Sequence, residues 1–202
     1  MMRKIEPSAF RRMPWKNGGG ETAEIAVSPA GASANDFDWR VSTANVASPG
    51  PFSLFQGIDR SLVVLSGRGL RLVTSPPGGD EVVVLEPTSV PFLFAGDVPA
   101  RADLIDGDAV VDFNVMTRRD TFKHVLRRVK TREVTVIEGC AIVLYCVAGS
   151  ANCSGDGNPV VLTVGDALVV EASRTDDIRA ISVEPRGDDA CEILAAQFFA
   201  QE

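Results

Sequence analysis

Along most of the chain, apolar and polar side chains alternate in short runs, and glycine, proline and aspartate separate the runs. A period of two over four to eight residues marks a β-strand with one face toward a core. Runs of this kind cover Thr22 to Ser28, closed by Pro29-Ala30-Gly31, and then Phe37 to Val46. Ser61 to Leu65 and Leu70 to Val73 flank the turn Ser66-Gly67-Arg68-Gly69, and Glu81 to Leu85 follows Pro76-Pro77-Gly78-Gly79-Asp80. Val90 to Phe94 contains Pro91, which has no N–H to give to a ladder, so this strand is expected at an edge or a bulge. Leu104-Ile105 and Ala109 to Thr117, around Asp106-Gly107-Asp108, complete the first half. The second half yields Val134 to Ile137, Ala141 to Val147, Val160 to Val164, Ala167 to Glu171, Ile178 to Val183 and Cys191 to Phe199. Helical spacing occurs at Phe122, Val125, Leu126 and Val129, which predicts a short helix in a connector from Arg118 to Lys130.

Two of these strands have faces of different chemistry. In Phe37 to Val46, Trp39, Val41 and Thr43 share one side, and Arg40, Ser42 and Ala44 share the other. In Ala109 to Thr117, Val111, Phe113 and Val115 form a core face, while Asp112, Asn114 and Met116 form a face that suits the lining of a barrel lumen. The halves also echo each other in layout. An apolar strand meets a glycine turn at Val64-Leu65-Ser66-Gly67 and again at Cys146-Val147-Ala148-Gly149, and strand pairs follow each. The expectation is therefore an all-β chain with little helix, built of two fused β-barrels of jelly-roll type, residues 1–118 and 119–202. The second is apolar and small in composition, a degenerate barrel serving stability or assembly.

Before the first strand lies Met13-Pro14-Trp15-Lys16-Asn17-Gly18-Gly19-Gly20-Glu21-Thr22. Three consecutive glycines cost much backbone entropy to order, so an ordered loop here implies positive φ or close backbone approach. The stretch is either a flexible turn or an element against which something small and polar sits. It is not a phosphate-binding P-loop, because Lys16 precedes the glycines.

Composition narrows the function classes. At 202 residues and 45% hydrophobic, the chain is long and apolar enough for a substantial core. A net charge of −7 and a pI near 4.8 argue against a general nucleic-acid binder. The basic run of Arg118, Arg119, Lys123, Arg127, Arg128, Lys130 and Arg132 is read as a solvated connector, since no nucleic-acid-binding motif accompanies it. Met1 to Trp15 has no apolar stretch typical of a secretory leader, and no run of 18 apolar residues occurs, so a cytoplasmic protein without membrane association is expected. Cys140, Cys146, Cys153 and Cys191 lack Cys-x-x-Cys spacing and are expected as reduced, buried thiols.

Five blocks carry a family resemblance: the glycine-loop decapeptide Met13 to Thr22, Asp36-Phe37-Asp38-Trp39-Arg40-Val41-Ser42, Gly50-Pro51-Phe52-Ser53, Gly57-Ile58-Asp59-Arg60, and Asp112-Phe113-Asn114-Val115-Met116-Thr117-Arg118. In this order they resemble the signature blocks of the HutD/Ves family of the cupin superfamily. The resemblance implies a bicupin fold and, for HutD members, a link to histidine utilisation. There the family is thought to restrain operon activity by binding an intermediate such as N-formylglutamate or urocanate; Ves-type members are linked to stress responses.

Metal-dependent cupins need several histidines converging with a carboxylate on one ion. This chain has one histidine, His124, expected in the connector, so no metal and no cofactor are expected. The leading expectation is a metal-free protein that binds a small anionic metabolite and modulates histidine utilisation. Lys16, Arg40 and Arg60 would supply cationic donors, Asn17, Ser42, Ser53 and Asn114 would orient amide or carbonyl groups, and Trp15 and Phe52 would form apolar walls. Asp112 would fix an arginine or accept from a ligand N–H, and for Arg40 and Asp112 a buried mutual ion pair is the alternative. A second reading is a metal-independent enzyme acting on a small carboxylate with Asp112 as general base. Direct nucleic-acid contact is not expected, and a homodimer stays open.

Overall fold

In the computed structural model the chain divides into two units, one formed by Arg11–Asp120 and the other by Met1–Phe10 with Thr121–Glu202. The structure describes residues 2–16, 18–33, 36–155, 157–171, 179–187 and 190–201. Its strands are β1 (Met2–Ile5), β2 (Arg11–Pro14), β3 (Gly20–Ser28), β4 (Trp39–Val46), β5 (Gly50–Pro51), β6 (Ile58–Ser66), β7 (Leu70–Thr74), β8 (Glu81–Leu85), β9 (Phe92–Ala95), β10 (Ala100–Leu104) and β11 (Val110–Arg118). They continue with β12 (Phe122–Thr131), β13 (Thr135–Gly139), β14 (Ala141–Ala148), β15 (Ser150–Ser154), β16 (Val160–Thr163), β17 (Ala167–Glu171), β18 (Arg179–Pro185) and β19 (Cys191–Ala200). Among the described residues the only helical turns are two 3-10 turns, so the expected all-β class holds.

The unit Arg11–Asp120 sets a six-stranded sheet, β2-β3-β4-β11-β6-β9, against a four-stranded one, β5-β10-β7-β8. Alternation puts Ala44, Val46, Leu62, Val64 and Val110 on the inner face of the first, where they pack on Leu70, Leu72, Leu85, Ala100 and Ala102 of the second. β9, the strand after Pro91, lies at the sheet's edge, where the missing N–H is tolerated.

The other unit repeats the plan with β1-β17-β14-β19-β12 against β13-β18-β15-β16. Its interior is filled by Ile142, Leu144, Leu168 and Ile193 from one sheet and Ile137, Leu162, Ile181 and Val183 from the other. Cys146, Cys153 and Cys191 sit in the same core, and all four cysteines are free and buried. The first ten residues, expected in the first barrel, belong to this unit, because β1 pairs antiparallel with β17 from Met2↔Val170 to Ile5↔Ala167. Lys4 adds an ion pair to Asp166 at 2.8 Å.

The expected connector helix is a strand. β12 pairs with β19 along ten residues, from Phe122↔Ala200 to Thr131↔Cys191. Phe122 and Leu126 are buried and His124 and Arg128 half-buried, whereas Val125 is exposed. The true period is therefore two: Phe122, His124, Leu126 and Arg128 share one face, and Val129 lies on the other, packed against the unit's core opposite Ile193; the pattern is hidden because a histidine and an arginine interrupt the apolar run of the first face. Arg128 is held there by Glu192, and the His124 ring lies 6.4 Å from that of Phe198. The basic run is thus largely built into a sheet, with Arg127 donating to Gln197 at 2.9 Å. β15 is hidden differently: only Ala151 and Cys153 point inward, and small polar residues between two glycines read as turn.

Candidate functional site

The three central strands of the six-stranded sheet carry the polar residues. Cross-strand register sorts their inward side chains into rows. Arg40, Met116 and Arg60 form one row, Ser42, Asn114 and Leu62 the next, and Ala44, Asp112 and Val64 the third. Asp112, Asn114 and Met116 are each buried, so the face singled out in the sequence does point inward. These rows border a cavity of about 490 Å³, within the range typical of small-molecule sites.

Of the residues expected at a site, Trp15, Lys16, Arg40, Ser42, Phe52, Ser53, Arg60, Asp112 and Asn114 all line this one cavity. Asn17 lies outside the described residues. Sequence reasoning missed Phe55 in the irregular segment before β6, Met13 and Pro51, which also line the cavity, and Glu24, which neutralises one of its cations.

Arg60 is 4% exposed. Its guanidinium carbon lies 4.9 Å from the ring centre of Phe52, 5.1 Å from Phe94 and 5.7 Å from Phe55, so the charge rests on three π faces. One nitrogen makes a long contact of 3.4 Å to the Ser53 carbonyl, and Nε has no partner among the described residues. Burial pushes this guanidinium down to about 10, while Asp112 works to raise it and Arg40 to lower it.

Asp112 is 1% exposed, and neither carboxyl oxygen makes a well-formed hydrogen bond among the described residues. Burial raises it to about 7; the charge of Arg60 and the nearby backbone of Ala44 pull the other way without winning. The side-chain oxygen of Asn114, one row along, is also unpartnered. The anticipated Arg40–Asp112 ion pair does not form: Arg40 Nε donates to Glu24 at 2.7 Å, and Arg11 approaches the same carboxylate at 3.6 Å.

The glycine loop closes one side. Trp15 donates from its indole N–H to Thr22 Oγ1 at 2.8 Å and from its backbone N–H to the Gly20 carbonyl at 2.9 Å. Gly18 has φ +71°, a region costly for other residues. At Gly20 a Cβ would fall 2.2 Å from the Asn45 carbonyl oxygen and 3.0 Å from the Trp15 ring. Both reasons anticipated for the glycines, positive φ and close approach, are therefore present. Lys16 stands exposed at the cavity's rim. Among the described residues no three histidine, cysteine, aspartate or glutamate side chains come together as metal ligands, and His124 lies on β12, in the other unit.

Two units of facing antiparallel sheets, one enclosing a polar cavity, define a protein of the cupin fold. Bacillus subtilis oxalate decarboxylase shares that fold at a TM-score of 0.64 and 12% identity, over 96% of this chain and 76% of the other. Residues 7–190 match the HutD family, to which the chain belongs. It is 37% identical to Protein Ves of Cronobacter sakazakii over 69% of this chain and 75% of that one. HutD from Pseudomonas fluorescens SBW25 is similar at 28% identity and a TM-score of 0.79, with both chains fully covered. A conserved protein of unknown function from Pseudomonas aeruginosa PAO1 gives 28% and 0.86, over 98% of this chain and 99% of that one.

Proposed function

We propose that this protein binds a small carboxylate in the cavity of its Arg11–Asp120 unit, and that the ligand is an intermediate of histidine degradation, N-formylglutamate or urocanate. The observation that carries the reading is Arg60. A guanidinium buried on three aromatic rings with an unpartnered N–H is costly to keep unless an anion completes it. Arg40 is already paired with Glu24, so among the described residues Arg60 is the cation left for a ligand inside the cavity, with Lys16 at the rim. Family membership supports the histidine-utilisation setting, in which binding would report the level of an intermediate and modulate the pathway from the cytoplasm.

Titration calorimetry with each compound tests the reading. Micromolar binding that Arg60→Ala weakens by about tenfold or more is expected, the size of one charge-assisted hydrogen bond. No heat with either compound, and no loss on Arg60→Ala with any carboxylate found to bind, would sink it. One observation favours a second reading, a metal-independent enzyme: Asp112 is raised to about 7, where a carboxylate is a competent general base. Turnover of either compound that disappears in Asp112→Asn would select catalysis over retention.

A further inference from the structure

Each sheet ends in edge strands, whose outer backbone N–H and C=O groups can take a further strand unless something blunts them. Most edges among the described residues are blunted. β1 carries Arg3 and Lys4, β2 carries Arg11, Arg12 and Pro14, and β12 carries Lys123, Arg127 and Lys130. β5 has two residues, and β9 and β16 have four each, entered directly from Pro91 and Pro159. β8 and β13 differ, with five residues each and no lysine, arginine or proline. On β13 the exposed Val136 shares its face with the acid Glu138. On β8, Val83 and Leu85 pack on the core, so Val82 and Val84 point outward, 58% and 51% exposed. Cross-strand register defines their surroundings. Val82 faces Val73 of β7, which faces Arg101 of β10; Val84 faces Arg71, which faces Asp103. Both arginines bond to Asp103, Arg71 at 2.8 Å and Arg101 at 3.1 Å, so two guanidinium groups share one carboxylate beside Val84. The acids Asp80 and Glu86 bracket β8 itself. The edge thus combines an apolar stripe, a surplus cation beside it and acids at its ends.

We propose that β8 pairs antiparallel with β8 of a second copy of this chain, about a twofold axis through Val82, so that two four-stranded sheets become one of eight strands. The register follows from charge and from the need for outward faces to match. An axis at Val83 would set Asp80 against Glu86 of the second copy, acid on acid. An axis at Val84 would set Val84 against itself and bring no acid into the Arg71 row. The axis at Val82 sets Val84 against Asp80 of the second copy. Arg71 then reaches that carboxylate across Val84, over two strand spacings or about 10 Å between Cα atoms, which an arginine and an aspartate side chain bridge together. The twofold repeats this ion pair, and between the two pairs Val73 and Val82 of both copies form one apolar row. The like-charge cost is a diagonal contact of the two exposed Glu81 side chains on the other face, screened by salt. Such a contact is isologous and closed, so association stops at two copies. None of the described residues of β7 or β8 lines the cavity, so association and ligand binding are separate properties.

Sedimentation velocity on the intact chain, from about 1 to about 500 µM, tests the proposal; two five-residue strands make a small interface, so a reversible dimer with a Kd of roughly 10–100 µM is expected. Val82→Lys sets two ammonium groups face to face on the axis and should weaken the dimer by about tenfold or more. Because Val82 is exposed, the variant should keep the circular dichroism of the wild type. Arg71→Glu and Asp80→Lys should each weaken the dimer by about threefold or more, and the two together should restore it, because the ion pair is rebuilt with its polarity reversed. A chain that stays monomeric at the highest concentration overturns the proposal and leaves the edge to a strand of another protein. A dimer that ignores Val82→Lys overturns it too, including one lost instead on Val136→Lys in β13. A folded double variant no better than its single variants overturns the register and the proposal with it. Val82→Lys decides the matter even where Arg71→Glu, which gives up the bond to Asp103, fails to fold.

Discussion

Arg60 and Asp112 carry opposite charge in one buried cavity and do not meet: each shifts the other's proton affinity, yet no ion pair or hydrogen bond joins them. A directly paired couple would be closed to a ligand. Held apart, with Asn114 in the row between, they leave a cation at one end and unpartnered oxygens at the other. The fork geometry of Arg60 should therefore matter as well as its charge. Arg60→Lys is expected to weaken carboxylate binding by about tenfold, and Arg60→Met to abolish it, because an ammonium cannot form two parallel hydrogen bonds and a thioether donates none. Calorimetry on folded variants, checked by circular dichroism, measures this.

Asp112 also makes stability depend on pH. Its folded pKa of about 7 lies above the ordinary 3.8, so the native state holds a proton that the unfolded state gives up. Stability from this group is full below about pH 4, falls as pH rises through 7, and is flat above. The charged groups sharing its face are Arg60 on β6, Arg40 on β4 and Glu24 on β3; Arg40 and Glu24 neutralise each other, so Asp112 titrates chiefly against Arg60. In Asp112→Asn the fall should be missing. Relative to wild type, the variant should gain up to about 3 kcal/mol between about pH 4.5 and about pH 8.5, since each pH unit between the unfolded and folded pKa is worth about 1.4 kcal/mol. Urea denaturation at both pH values tests this; a gap that does not change with pH refutes it.

The Glu24–Arg40 pair should show opposite effects on folding and binding. Both side chains are about nine-tenths buried. Glu24→Gln leaves Arg40 with a neutral acceptor and should cost about 1–3 kcal/mol, while Glu24→Leu with Arg40→Met should cost less than the sum of the two single changes. The freed Arg40 adds positive charge to the cavity, so affinity for a carboxylate should rise a few-fold in Glu24→Gln. Denaturant melts and calorimetry on one preparation check both. If Arg40 were already the ligand's main partner, its own removal would weaken binding as much as that of Arg60.

What the sequence discloses and withholds follows from where side chains point. Alternation makes most strands legible, and the Asp112/Asn114/Met116 face stands out because a carboxylate and an amide replace apolar residues in an inward register. Charge partners are not legible in the same way. Period two turns Arg40 and Asp112 both inward and so suggests them as a pair, but choosing Glu24 instead requires knowing that β3 lies beside β4 and that a register shift follows Glu24. The β12 strand is masked because His124 and Arg128 interrupt the apolar run of the Phe122/Leu126 face, while Val129 packs on the core from the other. The placement of β1 with β17 is masked because pairing between chain ends leaves no local signal.

The glycine loop permits a last prediction that separates its two glycine requirements. Gly18 needs its positive φ but has open space around it, so Gly18→Ala should cost about 1 kcal/mol of backbone strain and leave the Trp15 wall in place. Gly20 has the opposite problem. Its Cβ would collide with the Asn45 carbonyl oxygen, a backbone atom in β4 that cannot rotate away, and would press on the Trp15 ring. Gly20→Ala should then open the β3–β4 pairing at Gly20↔Val46, displace Trp15 from Thr22, and widen the cavity on that side. The expected readout is a red shift and weaker quenching of Trp15 fluorescence in a Trp39→Phe background, with a stability loss of about 2–4 kcal/mol and weakened carboxylate binding. Gly18→Ala should leave the fluorescence unchanged. If both variants shift it equally, the loop acts as one flexible turn rather than as a fitted wall of the site.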